Sequence, residues 1–244
     1  MRIGLFATCL ADLMRPSIAL AALDLLERDG RLVIVPPNQT CCGQPAYNGG
    51  ERVLAQRLAL KVMAEFADCD YIVVPSGSCA GMMKVHYPEL LKEFPEHAVA
   101  ISAFAGKVYE LSDFLLNVLH FQAEGHLPVT ACYHDSCSGL RELGVKQQPR
   151  QLLAGIEGLA LREMEGAEQC CGFGGAFAVK FGELSTELAD RKCQGIESCG
   201  VEMLIGGDLG CLLQLEGRLR RLGKSTKVMH FAEILAGNQD ESNA

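Results

Sequence analysis

Eight of the cysteines in this chain form a pattern that occurs twice. The first set is Cys9, Cys41, Cys42 and Cys79, and the second set is Cys137, Cys170, Cys171 and Cys211. In both halves a single cysteine is followed after 31 or 32 residues by an adjacent pair, and after 36 or 39 more residues by a last cysteine. Each pair precedes a glycine. A repeat of this length predicts two similar structural units within one chain.

The residues around these cysteines also match between the halves. The matched segments are residues 6–10 and 134–138, 76–79 and 208–211, and 108–115 and 228–235. We therefore predict a first repeat over residues 1–122 and a second over residues 128–236. A connection containing Gly125 and Pro128 lies between them, and residues 237–244 form a polar tail.

Apolar runs and helix signals alternate within the first repeat, which predicts an α/β fold. The predicted elements are strands over residues 3–7, 32–35 and 71–74 and helices over residues 16–26 and 51–67. Each candidate cysteine then follows a strand, and the carboxyl ends of parallel strands meet at one edge of a sheet. We predict two pseudo-symmetric lobes, each a short parallel sheet flanked by helices, with the cysteines in loops at the carboxyl edge.

The composition restricts the classes of function that fit. Hydrophobic residues make up 49% of the chain and charged residues 21%, which is typical of a globular protein. No apolar run is long enough for a transmembrane segment, and the N-terminus lacks the features of a signal peptide, so we expect a cytoplasmic protein. A net charge of −8 disfavours a nucleic-acid partner. The 12 cysteines are then not a disulfide framework, because the cytosol keeps thiols reduced.

Four cysteines per repeat is the number that binds one iron–sulfur cluster or one structural zinc ion. Zinc sites usually use two close C-x2-C pairs, whereas here one cysteine, one adjacent pair and one distant cysteine repeat. The adjacent pair suits two different iron atoms, and nearby glycines allow backbone N–H groups to approach the cluster. The pattern favours an iron–sulfur site in at least one repeat and leaves zinc or buried, inert thiols as alternatives.

The duplicated motif resembles the cysteine-rich CCG domain found in heterodisulfide reductase and in the iron-sulfur subunit of glycolate oxidase. Residues 6–9, 41–46, 75–82 and 134–137 are more closely similar to the lactate utilization protein A (LutA, also LldE) family, over almost the whole chain. This resemblance implies a subunit of an iron-sulfur L-lactate oxidising system that works with LutB-type ferredoxin-like and LutC-type partners. One departure is that each motif of heterodisulfide reductase ends in Cys-x-x-Cys, whereas this chain has Met82 and Gln214 there.

The remaining candidate residues have simpler interpretations. We expect structural roles for Cys69, Cys193 and Cys199, which have no counterpart in the other repeat. The same is expected of Cys132, which lies inside the apolar run of residues 129–133. His134 and Asp135 could form a base and its orienting acid, but a hydrogen bond beside Cys137 is the better expectation. The run Gly172–Gly175 lacks the Lys and Ser/Thr of a phosphate-binding loop.

The leading hypothesis is a two-cluster electron-transfer subunit, with one cluster, of the 4Fe-4S type, in each repeat and zinc in one repeat as an alternative. The other hypotheses are a thiol/disulfide redox enzyme and a zinc-stabilised interaction module. The candidates for binding a 2-hydroxy acid are Lys84, His86, His134 and Arg141, chosen only because they lie near the cysteines. Partner docking is expected near Met82, Met83 and Phe173.

Overall fold

The computed structural model describes residues 1–237. Eight strands form two four-stranded sheets in which every pairing is parallel. The strands are β1 (Arg2–Leu5), β2 (Leu32–Ile34), β3 (Tyr71–Val74), β4 (Val108–Glu110), β5 (Thr130–His134), β6 (Ala160–Arg162), β7 (Met203–Gly206) and β8 (Lys227–His230). The orders are β2-β1-β3-β4 and β6-β5-β7-β8, so the two sheets have the same topology. The predicted α/β class with two similar lobes is confirmed.

Helices connect and flank the strands. They are α1 (Cys9–Met14), α2 (Ser17–Glu27), α3 (Gln44–Gly49), α4 (Arg52–Glu65), α5 (Gly77–Gly81), α6 (Tyr87–Leu90), α7 (Ala98–Lys107), α8 (Leu111–Asp113), α9 (Cys137–Leu143), α10 (Gln147–Leu153), α11 (Ala176–Lys180), α12 (Gly182–Cys199), α13 (Leu209–Arg221) and α14 (Phe231–Ala236). We call β1–β4 with α1–α8 the first lobe and β5–β8 with α9–α14 the second lobe. Across residues 1–237, every helix is too short or too polar to cross a membrane.

Local sequence signals account for where the first elements begin and end. Pro16 precedes α2, whose buried residues recur at helical spacing, as predicted. The first strand ends at Leu5, two residues before the predicted end, because Thr8 already caps the next helix. Its side chain accepts a hydrogen bond from the Ala11 amide, a standard helix cap. The predicted polar tail lies outside the described residues except for Gly237, which ends α14 with φ 84°.

The two lobes pack through a shared apolar core. Helix α14 of the second lobe packs on α2 of the first, and α10 packs on α8. The core between them includes Leu25, Phe114, Leu152 and Phe231, each with at most 2% of its surface exposed. The edge strands β4 and β8, each followed by a short helix, occupy equivalent positions in the two sheets. The contacts between the lobes are therefore arranged as if a pseudo-twofold axis related one lobe to the other.

Candidate metal centre

The cysteines lie where the strands end and the following helices or loops begin. Cys9 and Cys137 are the first residues of α1 and α9, and Cys79 and Cys211 are the third residues of α5 and α13. The two adjacent pairs lie in loops. Half of the candidate ligands therefore lie in the first turn of a helix rather than in a loop. Free backbone N–H groups at that end of a helix favour a thiolate.

All eight predicted cysteines line one cavity of about 300 Å³. The cavity lies between the lobes because helices of the two lobes meet there. Helix α5 packs on α9, and α1 packs on α13. The cysteine-bearing ends of both sheets therefore face each other across the cavity.

The four thiols of the first set interact with one another. Hydrogen bonds from the thiols of Cys42 and Cys9, with a further one from the Gly43 amide, lower the pKa of Cys41 to about 3. The same contact with Cys41 raises the pKa of Cys9. Contacts with Cys41 and then Cys79 raise the pKa of Cys42 well above its usual value. The thiols of this set therefore contact one another in the order Cys9, Cys41, Cys42 and Cys79.

The second set repeats this arrangement. Hydrogen bonds from the thiols of Cys137 and Cys171 lower the pKa of Cys170 to about 2. Contacts with Cys170 and then Cys211 raise the pKa of Cys171. The order of contacts along each set is the same, from the single cysteine through the pair to the last cysteine. Both sets therefore offer four converging sulfur donors.

Backbone N–H groups point at the sulfur atoms of both adjacent pairs. The Gly43 amide donates to Cys41 Sγ at 3.4 Å, and the Gly172 amide donates to Cys170 Sγ at 3.3 Å. Both glycines have positive φ, at 86° and 87°, and a Cβ on Gly172 would lie 2.4 Å from the Ser185 carbonyl oxygen. Such N–H donors offset the negative charge of thiolates bound to a cluster. The residues present therefore fit a thiolate-bound metal centre in each lobe.

Different buried side chains bond the first pair and the segment that precedes the second pair. The Tyr87 hydroxyl donates to the Cys42 carbonyl oxygen at 2.8 Å. In the second lobe the Lys192 amine donates to the carbonyl oxygens of Gly166 and Ala167 at 2.6 and 2.8 Å. Burial lowers the pKa of Lys192 to about 8 although nearby cysteines oppose the shift. Sequence reasoning missed Lys192, because a lysine on a long helix normally predicts an exposed side chain.

His134 and Asp135 do not form an acid–base pair. Both oxygens of Asp135 accept hydrogen bonds from Arg150, at 2.8 and 2.9 Å. His134 instead lies within 4.8 Å of the sulfur atoms of Cys171 and Cys211, measured from a ring nitrogen. Burial lowers its pKa to about 3, so the ring is neutral. The expected hydrogen bond of this pair beside Cys137 is absent from the described residues.

One carboxylate joins the two cysteine sets across the lobes. Asp208, which caps α13 ahead of Cys211, accepts hydrogen bonds from the Ser76 hydroxyl and the Ser78 amide, both at 2.9 Å. Ser76 in turn caps α5 ahead of Cys79. The sequence repeat aligns Asp208 with Ser76 but does not show that they touch.

The four other cysteines lie apart from the cavity. Cys69, Cys132 and Cys193 are buried, and each has a pKa raised by burial, to about 12 for Cys132 and about 11 for Cys193. Cys199 is partly exposed, and its thiol lies 3.8 Å from the Glu163 carbonyl oxygen. Their environments agree with the structural roles expected for them.

Two sets of predicted residues are not part of the cavity. Met82 and Met83 are fully buried, so the expectation that they form a docking surface is wrong, while Phe173 does line the cavity. Lys84 donates to the Val108 carbonyl oxygen at 2.7 Å, and His86 faces Glu142 at 3.3 Å. Arg141 lines a separate open pocket. The structure therefore does not gather the proposed 2-hydroxy acid candidates into one site.

Comparison with known proteins gives consistent results. The family model described as "Cysteine-rich domain" (CCG) matches residues 3–84 and 131–216. The chain is 46% identical to "Lactate utilization protein A" of Geobacillus thermodenitrificans over 236 residues, covering 96% of this chain and 98% of that protein. It is 43% identical to the protein of the same name from Bacillus subtilis, covering 96% and 99%.

A solved structure also shares the fold. A hypothetical protein from Helicobacter pylori superimposes with a TM-score of 0.68 at 16% identity, covering 99% of this chain and 49% of that chain. This chain therefore spans about half the length of that protein. With two matches to the cysteine-rich domain and close relatives over nearly its whole length, the chain belongs to the lactate utilization protein A family.

Proposed function

We propose that this chain is an electron-transfer subunit with one iron–sulfur centre in each lobe, acting in the oxidation of L-lactate to pyruvate. The observation that carries the proposal is the convergence of two four-thiol sets on one cavity. In the first lobe the ligands are Cys9, Cys41, Cys42 and Cys79, and in the second they are Cys137, Cys170, Cys171 and Cys211. When bound, an iron–sulfur centre takes up and passes on electrons one at a time.

The choice of iron–sulfur over zinc rests on the donor set. Each set contains two sequence-adjacent cysteines whose neighbouring thiols interact, together with N–H donors aimed at sulfur. Four sulfur donors with an adjacent pair suit the several metal atoms of a cluster better than one small ion. The 4Fe-4S type is the proposed cluster in both lobes.

The choice of lactate rests on the named relatives. Proteins that match this chain over 96% of its length are called lactate utilization protein A. Among residues 1–237, no cationic side chain lines the cysteine cavity, and a 2-hydroxy acid carboxylate would need one. We therefore assign lactate binding to a partner and electron transfer to this chain.

Electrons must then leave this chain through a partner at the mouth of the cavity. Cys9 is the exposed member of the eight cysteines, which places the first set nearest the surface. Next to it on α1, Leu13 and Met14 expose 78% and 57% of their surfaces. We propose that a LutB-type ferredoxin-like partner docks on this face and that a LutC-type subunit completes the assembly in the cytoplasm.

Metal analysis tests the ligand assignment. The protein is purified without oxygen, and iron, acid-labile sulfide and zinc are measured per chain. Cys171→Ser and Cys42→Ser should each lose about half of the iron and sulfide, because each removes one of four ligands from one centre. The matched control is Cys193→Ser, a buried cysteine outside both sets, which should keep full content. Zinc in place of iron and sulfide would refute the proposal in favour of a zinc-stabilised module.

Reconstitution tests the division of labour. The metal-loaded chain alone should show little lactate oxidation with an artificial acceptor, and activity should appear when both partners are added. In the complete assembly, Cys171→Ser should abolish turnover while partner binding, measured by co-elution, is retained. Full lactate turnover by this chain alone would contradict the assignment.

A further inference from the structure

The ring of His134 is buried beside the second cysteine set, and neither of its nitrogens has a partner among the described residues. Only 1% of the surface of this residue is exposed. Neither Nδ1 nor Nε2 is hydrogen-bonded to any part of the chain that the structure describes. Burying a polar group without a hydrogen bond costs about 1–3 kcal/mol, so a partner for this ring is expected.

The cysteine sulfurs are the groups that lie within reach of the ring. One ring nitrogen, Cys171 Sγ and Cys211 Sγ all lie within 4.8 Å of one another, and all three residues are buried. Imidazole nitrogen and thiolate sulfur are both common ligands of iron and zinc. The three atoms therefore surround a point that a metal atom can occupy.

The other fully buried histidine shows how a structural histidine behaves in this fold. His230 caps α14, and its Nδ1 accepts a hydrogen bond from the Ala232 amide at 3.2 Å. His134 has no such role, because Ser136 rather than His134 caps the helix that follows it. The contrast separates His134 from an ordinary core histidine.

The first lobe has a phenylalanine at the equivalent position. Ile3 pairs with Tyr71, and Ala131 pairs with Met203, so the two central strands have the same register. Three residues further on, His134 corresponds to Phe6. The Phe6 ring is fully buried against Phe66, with centroids 5.9 Å apart, in an apolar cluster. The first lobe therefore offers no nitrogen donor at this place.

We propose that His134 is a ligand of the metal centre in the second lobe, in addition to cysteine thiolates. This inference rests on the proposed iron–sulfur function and deepens it. The two centres are then chemically different, with sulfur ligands only in the first lobe and sulfur plus one imidazole nitrogen in the second.

Pulsed electron paramagnetic resonance (EPR) on protein labelled with 15N-histidine tests this ligand directly. Reducing or oxidising an iron–sulfur centre by one electron leaves it paramagnetic in one of its two states. We expect a strong 15N coupling from the second centre, observed with the first removed by Cys42→Ser. With the second centre removed by Cys171→Ser, the first should show no such coupling.

Substitutions then assign the coupled nitrogen. His134→Phe, which copies the first lobe, should remove the 15N coupling and change the reduction potential of one of the two EPR signals. His230→Asn is the matched control, since it changes the other buried histidine but retains a side chain that can cap α14. It should leave both the coupling and the potentials unchanged.

The outcomes separate this inference from the proposed function. Absence of iron and sulfide from the wild-type chain would refute both. Full iron and sulfide without a 15N coupling at the second centre would overturn the histidine ligand and leave the electron-transfer proposal standing. The labelled wild-type chain decides this even if His134→Phe fails to fold. A coupling that persists unchanged in a folded His134→Phe variant would also overturn it.

Discussion

Replacing Asp208 by alanine is expected to weaken the contact between the two lobes at the cysteine cavity. The carboxylate is 5% exposed and accepts three hydrogen bonds. Two come from the first lobe, from the Ser76 hydroxyl and the Ser78 amide, and one comes from Gly210 in its own helix. The variant therefore loses both an interlobe contact and a helix cap.

The magnitude follows from the groups left without partners. Loss of the cap costs about 1 kcal/mol. An unsatisfied buried donor costs about 1–3 kcal/mol, and the Ser78 amide becomes such a donor. The Ser76 hydroxyl can turn to the Ser78 hydroxyl, 3.2 Å away, so its loss is smaller. We expect the free energy of unfolding to fall by about 2–5 kcal/mol in total.

Urea unfolding followed by circular dichroism measures this change, and a double-mutant cycle identifies its source. Ser76→Ala, Asp208→Ala and the double variant should give a coupling energy of about 1–2 kcal/mol, because the two side chains bond each other. Asp208→Asn keeps one acceptor oxygen and should lose less than Asp208→Ala. If Asp208→Ala lies within about 0.5 kcal/mol of wild type, or the two substitutions are additive, the carboxylate does not hold the lobes together.

Three further substitutions test other parts of the packing. Burial raises the pKa of Glu110 to about 7. The folded state therefore binds the proton more tightly, and the contribution of this carboxyl group to stability should fall by about 3 kcal/mol between pH 4.5 and 7. In urea unfolding across this range, the unfolding free energy of the wild type should fall by about 3 kcal/mol relative to that of Glu110→Gln, and a constant difference between the two proteins would contradict the argument. Gly77→Ala places a Cβ 2.9 Å from a backbone atom of the other lobe and should lower the melting temperature. The control Gly217→Ala, in an open part of α13, should not lower it. Arg150→Met leaves the 1%-exposed Asp135 carboxylate unpaired. We therefore expect the free energy of unfolding in urea to fall by about 3–5 kcal/mol. A fall of less than about 1 kcal/mol would show that stability does not depend on the pair.

The repeat predicted the fold because its cysteines follow strands in both halves. Parallel pairing and the convergence of the strand ends both follow from that placement. The observed boundaries of strands and helices differ from the predicted ones by one or two residues where a helix cap sets the boundary, as at Thr8. Such caps depend on a single side chain and hardly affect the apolar pattern.

The contents of the cavity could be predicted only in part. All eight candidate cysteines lie at its wall, because spacing within a repeat encodes them directly. The roles of His134, Lys192 and Asp208 depend on which residues of one lobe meet the other, or on which face of a helix is buried. Met82 and Met83 illustrate the reverse error, since closeness in sequence to Cys79 does not determine which way a side chain points.

The contact between Ser76 and Asp208 also shows what a single chain gains over two identical subunits. In a symmetric homodimer, a residue beside the twofold axis faces its own copy. Two aspartates so placed would repel each other, and two serines would lack the charge that strengthens the hydrogen bond. Because both repeats belong to one polypeptide, a donor can stand on one side and a carboxylate on the other. Covalent linkage thus frees the two halves to become complementary instead of alike.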